Sequence, residues 1–281
     1  MANLRSFYEN KLAVISGGSS GIGLAIAKEL AAHGAKVILL ARRKEILSEA
    51  CAQIMATYPA SAPIAMELDV SVESNVKTVF AQIFAAYGIP DILVNSAGIT
   101  QPGEFLTQAS DIFQSMMSVN YFGTLYCCQA VAQPMAARGS GIIVNISSVV
   151  GYFNIYGYSA YGASKFAVSG LSDSLRMELA PHGIQVALVF PPDTDTPQLA
   201  FERAYKPEVT RVLAGNGGLE QPETVAREII SALTRKKYRI LPGFENKLIN
   251  FAVHLLGTDL LYRLLDGSVR KVLRSQPPAQ K

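Results

Sequence analysis

Five residues, Leu12-Ala-Val-Ile-Ser16, run straight into Gly17-Gly-Ser-Ser-Gly21-Ile-Gly23, and a helical pattern, Leu24 to His33, follows without a break. A short strand with no polar alternation is one buried on both faces, as in a parallel sheet. Glycines between such a strand and a helix start let the backbone turn tightly. The amides and the positive end of the helix then face an anion. The spacing is Gly-x-x-x-Gly-x-Gly and not the commoner Gly-x-Gly-x-x-Gly of dinucleotide folds. A glycine turn without a ligand is the plainer reading, but its place after the first strand favours a nucleotide.

The same unit recurs along the chain. Strand patterns at Ala35–Ala41, Ile64–Val70, Asp91–Asn95, Gly141–Ile146, Ile184–Phe190 and Tyr238–Leu241 alternate with helical ones at about Lys44–Tyr58, Val72–Tyr87, Ala109–Arg138, Tyr158–Leu179 and from Pro222 onward. This alternation predicts an α/β fold, one doubly wound parallel sheet with helices on both faces. Asn120-Tyr-Phe-Gly123 interrupts the long helix, where a π-bulge or kink could free a carbonyl. Residues 193–221 show no strong periodicity and are expected to form a lid. The sheet-forming body spans 1–242, and 243–281 is an added amphipathic helical tail.

Composition narrows the class. With 49% hydrophobic and 17% charged residues among 281, the chain can bury a large core. A net charge of +3 is too slight to argue for nucleic acid. Cys51, Cys127 and Cys128 form neither a metal-ligand spacing nor a disulfide framework and suit a reducing cytoplasm. The N-terminus lacks the apolar core of a signal peptide. No uninterrupted apolar run of about eighteen residues occurs, which argues against a membrane-spanning helix.

Two places carry chemistry. Strand two ends in Ala41-Arg42-Arg43-Lys44, where an acid would bond a free ribose 2′-hydroxyl and arginine suits a 2′-phosphate. That favours NADP(H). Farther on, Tyr161 and Lys165 lie four residues apart and so share one helix face, beyond a loop that starts at Ser147-Ser148. An ammonium near a phenol favours the phenolate. Moving a tyrosine from about 10 to about 7 takes roughly 4 kcal/mol. Such a pair is often accidental, and its weight depends on the rest of the chain.

The tail, Lys247 to Leu273, mixes many Leu, Ile, Phe and Val residues with His254, Asp259, Arg263, Asp266, Arg270 and Lys271. The pattern predicts amphipathic helices broken near Gly257. Packing on the domain or on a second subunit is the commoner use of such a stripe. A peripheral contact at the cytoplasmic face of a membrane is the sharper one.

Taken together, Ser16-Gly17-x-x-x-Gly21-x-Gly23, Asn95-Ser-Ala-Gly98, Asn120, Ser148 and Tyr161-x-x-x-Lys165 resemble the short-chain dehydrogenase/reductase family over roughly residues 10 to 240. The resemblance implies a Rossmann-type domain using NADPH to reduce a ketone. In the family the catalytic serine precedes the tyrosine by thirteen residues, which selects Ser148 over Ser147. Tyr161 would protonate the carbonyl oxygen and Ser148 would bond it. Lys165 would hold the nicotinamide ribose, and Asn120 would steady a relay water. Gly17, Ser19, Ser20, Gly21 and Ile22 would line the diphosphate, Arg42 the 2′-phosphate, and Asp69 and Val70 the adenine. Asn95, Ala97 and Gly98 would pass under the adenosine side, while Pro191, Thr194 and Thr196 fall where the family clamps the carboxamide.

One departure stands out. Pro192 replaces a usual glycine after the sixth strand, and the run Pro191-Pro-Asp-Thr-Asp-Thr-Pro197 is similar to that of the 3-ketodihydrosphingosine reductase subfamily. The resemblance therefore implies a hydrophobic ketone, a long-chain sphingoid base precursor, as substrate. Another bulky ketone (a steroid, a sugar or a 3-ketoacyl thioester) stays open, as does a non-catalytic NADPH binder. The family also implies a homo-oligomer paired through its long helices.

Overall fold

The computed structural model describes residues 4–215 and 218–275. Residues 216–217 of the expected lid, 276–281 of the tail and 1–3 lie outside them. The strands are β1 (Leu12–Ser16), β2 (Lys36–Ala41), β3 (Ile64–Glu67), β4 (Ile92–Asn95), β5 (Gly141–Ile146), β6 (Ile184–Val189) and β7 (Arg239–Ile240). All neighbours pair in parallel, in the order β3-β2-β1-β4-β5-β6-β7. The order reverses between β1 and β4, so a crevice opens there beyond the carboxyl ends of the strands.

The helices in chain order are α1 (Leu4–Tyr8), α2 (Gly21–Ala32), α3 (Lys44–Thr57), α4 (Glu73–Tyr87), α5 (Ser110–Met116), α6 (Gly123–Arg138), α7 (Ser159–Leu179), α8 (Pro197–Arg203), α9 (Glu208–Ala214), α10 (Pro222–Thr234), α11 (Phe244–Leu256) and α12 (Thr258–Ser275). Alternate strand residues feed two cores. Ala13, Ile15, Val37, Leu39 and Val94 pack with Ile26 and Leu30 of α2, Leu47 and Ile54 of α3, and Ile229 and Leu233 of α10. Val14, Ile38, Leu40 and Leu93 pack on the opposite face with Phe80 and Ile83 of α4 and Val131 of α6. Each fully buried side chain of this size contributes roughly 1.5–3 kcal/mol of transfer free energy. Cys127 and Cys128 sit in the second core, where burial pushes both thiols up.

Three features go beyond the sequence pattern. Tyr8 of α1 is fully buried, and its hydroxyl donates to the Ile230 carbonyl at 2.7 Å, tying the N-terminal helix to α10. Residues Met117–Phe122 form a π-helical segment, and the Gly123 N–H bonds the Ser118 carbonyl five residues back. Inside residues 193–221 the chain folds into α8 and α9, with Thr194 bridging Glu220 in parallel. Two seven-residue helices are too short to print a recognisable stripe, which explains why the pattern there looked featureless.

The tail is tied to the body at its start. Asn246 of α11 is fully buried, donates to the carbonyls of Phe190 and Pro242, and accepts from the Tyr152 hydroxyl. Beyond Gly257, α12 has no buried residue, yet Tyr262 stacks on Phe153 with ring centroids 5.0 Å apart.

Candidate active site

At the crevice, β1 turns through Gly17 and Gly21, both at positive φ (68° and 54°). A Cβ on Gly17 would stand 2.6 Å from the Ala97 amide nitrogen, so only glycine lets this turn lie against the strand after β4. Ser19 is buried, and Ser20, with extended backbone, makes no side-chain cap to α2. The first-turn amides of α2 are thus uncapped by protein and suited to a diphosphate. Ile22 is half-buried against the first core. Ala97 donates its N–H to Ser16 Oγ at 3.3 Å, and Gly98 faces Asn120 and Lys165. This cradle of glycines and free helix amides fits a dinucleotide.

Other expected cofactor residues are less direct. Arg42 is exposed just past β2, together with Arg43 and Lys44. The Asp69 carboxylate accepts from both the N–H and the hydroxyl of Ser71, so it shapes its own turn, and Val70 is buried in the second core. Asn95 donates to Asn145 Oδ1 at 2.8 Å and to Cys128 Sγ at 3.2 Å, so its side chain points into the protein and away from the crevice. The Pro191 carbonyl accepts from the Val149 N–H. Thr194 is buried with its hydroxyl on the Pro192 carbonyl, and Thr196 caps α8 while its methyl faces Gly21.

The residues expected to handle the proton converge. Tyr161 is buried on α7, one turn from Lys165, and Ser148 and Gln198 lie close enough to its hydroxyl to favour the phenolate. The neighbouring serine is separated in role: Ser147 Oγ donates to the Lys165 carbonyl at 3.0 Å and meets Ser169 Oγ at 3.2 Å. Asn120 lies in the π segment. Its Nδ2 donates to the Ile99 carbonyl and to Ser164 Oγ, and its Oδ1 accepts from the Ile99 N–H. That closes the turn after β4 onto α7. Its carbonyl accepts from Thr124 Oγ1.

The expected electrostatics need one correction. Burial raises the Tyr161 phenol, the Glu202 carboxylate raises it further, and the nearby Ser148 and Gln198 side chains only partly oppose this. Lys165 does not overcome that balance, because its ammonium donates to the Ile146 carbonyl at 3.0 Å and meets Tyr161 over the ring face. Burial in turn pushes Lys165 down to about 8.

Several neighbours escape sequence reasoning. Gln198 and Glu202 come from α8, inside the featureless stretch, and Thr100 from the loop after β4. Tyr158, three residues before Tyr161, donates to Glu202 Oε2 at 2.7 Å. The one available signal was the i, i+4 pair Glu202 and Lys206, which reads as a solvated surface pair until its burial is known.

A dinucleotide-type crevice that ends at a buried tyrosine and lysine is the site of a nicotinamide-dependent oxidoreductase. The profile of the family described as short chain dehydrogenase matches residues 11–206. The chain belongs to the short-chain dehydrogenase/reductase family. It is 40% identical over 220 residues to a 3-dehydrosphinganine reductase of Danio rerio, covering 77% of this chain and 66% of that one. It is 39% identical over 240 residues to a 3-ketodihydrosphingosine reductase of Mus musculus, covering 84% of this chain and 72% of that one. Among solved structures, a short-chain dehydrogenase from Sphingobium yanoikuyae in complex with NADPH superposes with a TM-score of 0.73 at 26% identity, over 96% of this chain and 98% of that one.

Proposed function

We propose that this chain is an NADPH-dependent reductase that converts 3-ketodihydrosphingosine to dihydrosphingosine. The observation that carries the reading is the meeting of Tyr161 with Ser148 and Lys165 beneath a lid entered through Pro191-Pro-Asp-Thr-Asp-Thr-Pro197. Relatives that bear this activity in their names support the substrate. Phe201 on α8, Tyr205 in the turn after it, and Phe105 and Leu106 on a loop whose Gly103 N–H bonds the Gly157 carbonyl, expose apolar surface suited to an alkyl chain. Arg42 in place of an acid supports NADPH over NADH.

When bound, the dinucleotide supplies a hydride to the carbonyl carbon. Tyr161 gives its proton to the carbonyl oxygen as negative charge develops there, and Ser148 donates a hydrogen bond to the same oxygen. A raised phenol suits a proton donor that must stay protonated until that moment. Lys165 holds the ribose hydroxyls and returns a proton to Tyr161. The second lone pair of the Asn120 carbonyl steadies a water on that route.

The tail has a part in this reading. Phe244, Leu248, Phe251, Leu255 and Leu264 are all more than half exposed along α11 and α12, with Arg263, Arg270, Lys271 and Arg274 nearby. Among the described residues no single helix is long and apolar enough to cross a membrane. An amphipathic face of this kind lies in a membrane interface, at the cytoplasmic side, where a sphingoid ketone resides.

NADPH oxidation by the purified chain, with short-chain 3-ketosphinganine and with an acetoacetyl thioester, tests the substrate. Consumption on the amino ketone is expected, and turnover confined to the thioester would replace it with a ketoacyl substrate.

A further inference from the structure

Inside the lid two carboxylates share one ammonium. Glu202 is 6% exposed, with Lys206 Nζ 3.6 Å from its Oε2. The same nitrogen donates to Asp193 Oδ2 at 3.2 Å. With all three ionised the group carries one net negative charge. A buried carboxylate that is only partly compensated is costly, and burial accordingly raises Glu202. Lys206 and the Tyr158 hydroxyl offset part of this cost.

This charge sits beside the chemistry. Tyr158 and Tyr161 have ring centroids 5.8 Å apart, and Glu202 is the foremost charged group acting on Tyr161. Its effect there opposes loss of the phenolic proton, which the transfer itself requires. A second observation points to a ligand. Thr100 is 4% exposed, and its buried hydroxyl makes no hydrogen bond of good geometry, although it lies close enough to Glu202 to favour the charged carboxylate. A negative group and an unpartnered hydroxyl together suit an ammonium, which has three donors and no acceptor.

We infer that Glu202 selects an amino ketone by receiving the substrate's ammonium, with Thr100 accepting a second of its hydrogen bonds. This rests on the substrate reading above, in which the amine stands on the carbon next to the reacting carbonyl. An ammonium so placed must lie near the oxygen that Tyr161 and Ser148 engage, which is the neighbourhood Glu202 occupies. Its charge would also offset the carboxylate's effect on Tyr161.

The test uses the full chain, NADPH, short-chain 3-ketosphinganine and its analogue without the amine. Glu202→Gln keeps the size and the acceptor for Tyr158. It should lower the ratio of kcat/KM for the amino ketone to that for the analogue by about 10- to 100-fold, the span of a hydrogen bond to a charged group. Thr100→Val should lower the ratio severalfold, and it decides the matter if Glu202→Gln fails to fold. A wild-type preference for the amino ketone that survives both changes overturns the inference alone. A wild type that reduces both ketones equally also overturns the inference and leaves the substrate reading standing, whereas one inactive on both overturns the substrate reading and the inference with it.

Discussion

Lys165 Nζ lies 5.6 Å from the centroid of the Tyr161 ring and approaches its face, while the ammonium's hydrogen bond goes to the Ile146 carbonyl. The lysine is therefore held by the end of β5 in a place where it can serve the cofactor's ribose and the phenol in turn. Its buried setting pushes it down to about 8. The ammonium is present below that value and is lost as pH rises through it. Reduction consumes a proton delivered through Tyr161, so kcat for reduction should fall as pH rises through about 8. A profile that stays flat through that region would remove Lys165 from the proton route.

Adjacent serines should separate cleanly in mutagenesis. Ser148→Ala removes a donor to the developing oxyanion and should lower kcat by about 10²–10³ with little change in Tm. Ser147→Ala removes the bond to the Lys165 carbonyl inside the protein and should cost about 1 kcal/mol of stability, read in a denaturant titration. The reverse pattern would mean that the family spacing selects the wrong serine.

Most of the frame was legible because its signals are local and repeated. Apolar runs such as Leu12–Ser16 and Ile184–Val189 can be little other than buried parallel strands. Asn120 was legible as an interruption, and the π segment around it bears that out. What stayed hidden depends on contacts distant in sequence. Glu202 and Lys206 look like a surface pair until the lid is folded over Tyr158. Tyr8 gives no hint in the sequence that it bonds Ile230, 222 residues away. The acidity of Tyr161 was misjudged for the same reason: spacing reveals the lysine but neither the burial of the phenol nor the carboxylate beside it.

Cofactor choice rests on Arg42, which is exposed where β2 ends. Arg42→Asp places a carboxylate where a 2′-phosphate would lie and offers an acceptor to a 2′-hydroxyl. The ratio of kcat/KM with NADPH to that with NADH should fall by at least about tenfold, one charge-assisted contact being worth about 1.5–3 kcal/mol. An unchanged ratio would show that Arg42 does not reach the phosphate.

For the tail, deleting everything after Pro242 would be a poor test, because Asn246 anchors α11 to Phe190 and Tyr152. Leu255→Glu with Leu264→Glu is gentler, since these side chains are 68% and 61% exposed. The double variant should keep its Tm and lose most of its co-sedimentation with anionic liposomes. Undiminished sedimentation would return this face to contacts with protein.

The central claim is that this chain transfers hydride from NADPH to the keto carbon of a sphingoid precursor while Tyr161 supplies the proton. Its most direct test is mass analysis of the product formed from short-chain 3-ketosphinganine and NADPH deuterated at the transferring position. The account predicts a secondary alcohol with one deuterium on the former carbonyl carbon, and none from Tyr161→Phe, although that variant still binds NADPH. An unlabelled alcohol, or an undiminished yield from Tyr161→Phe, would contradict it.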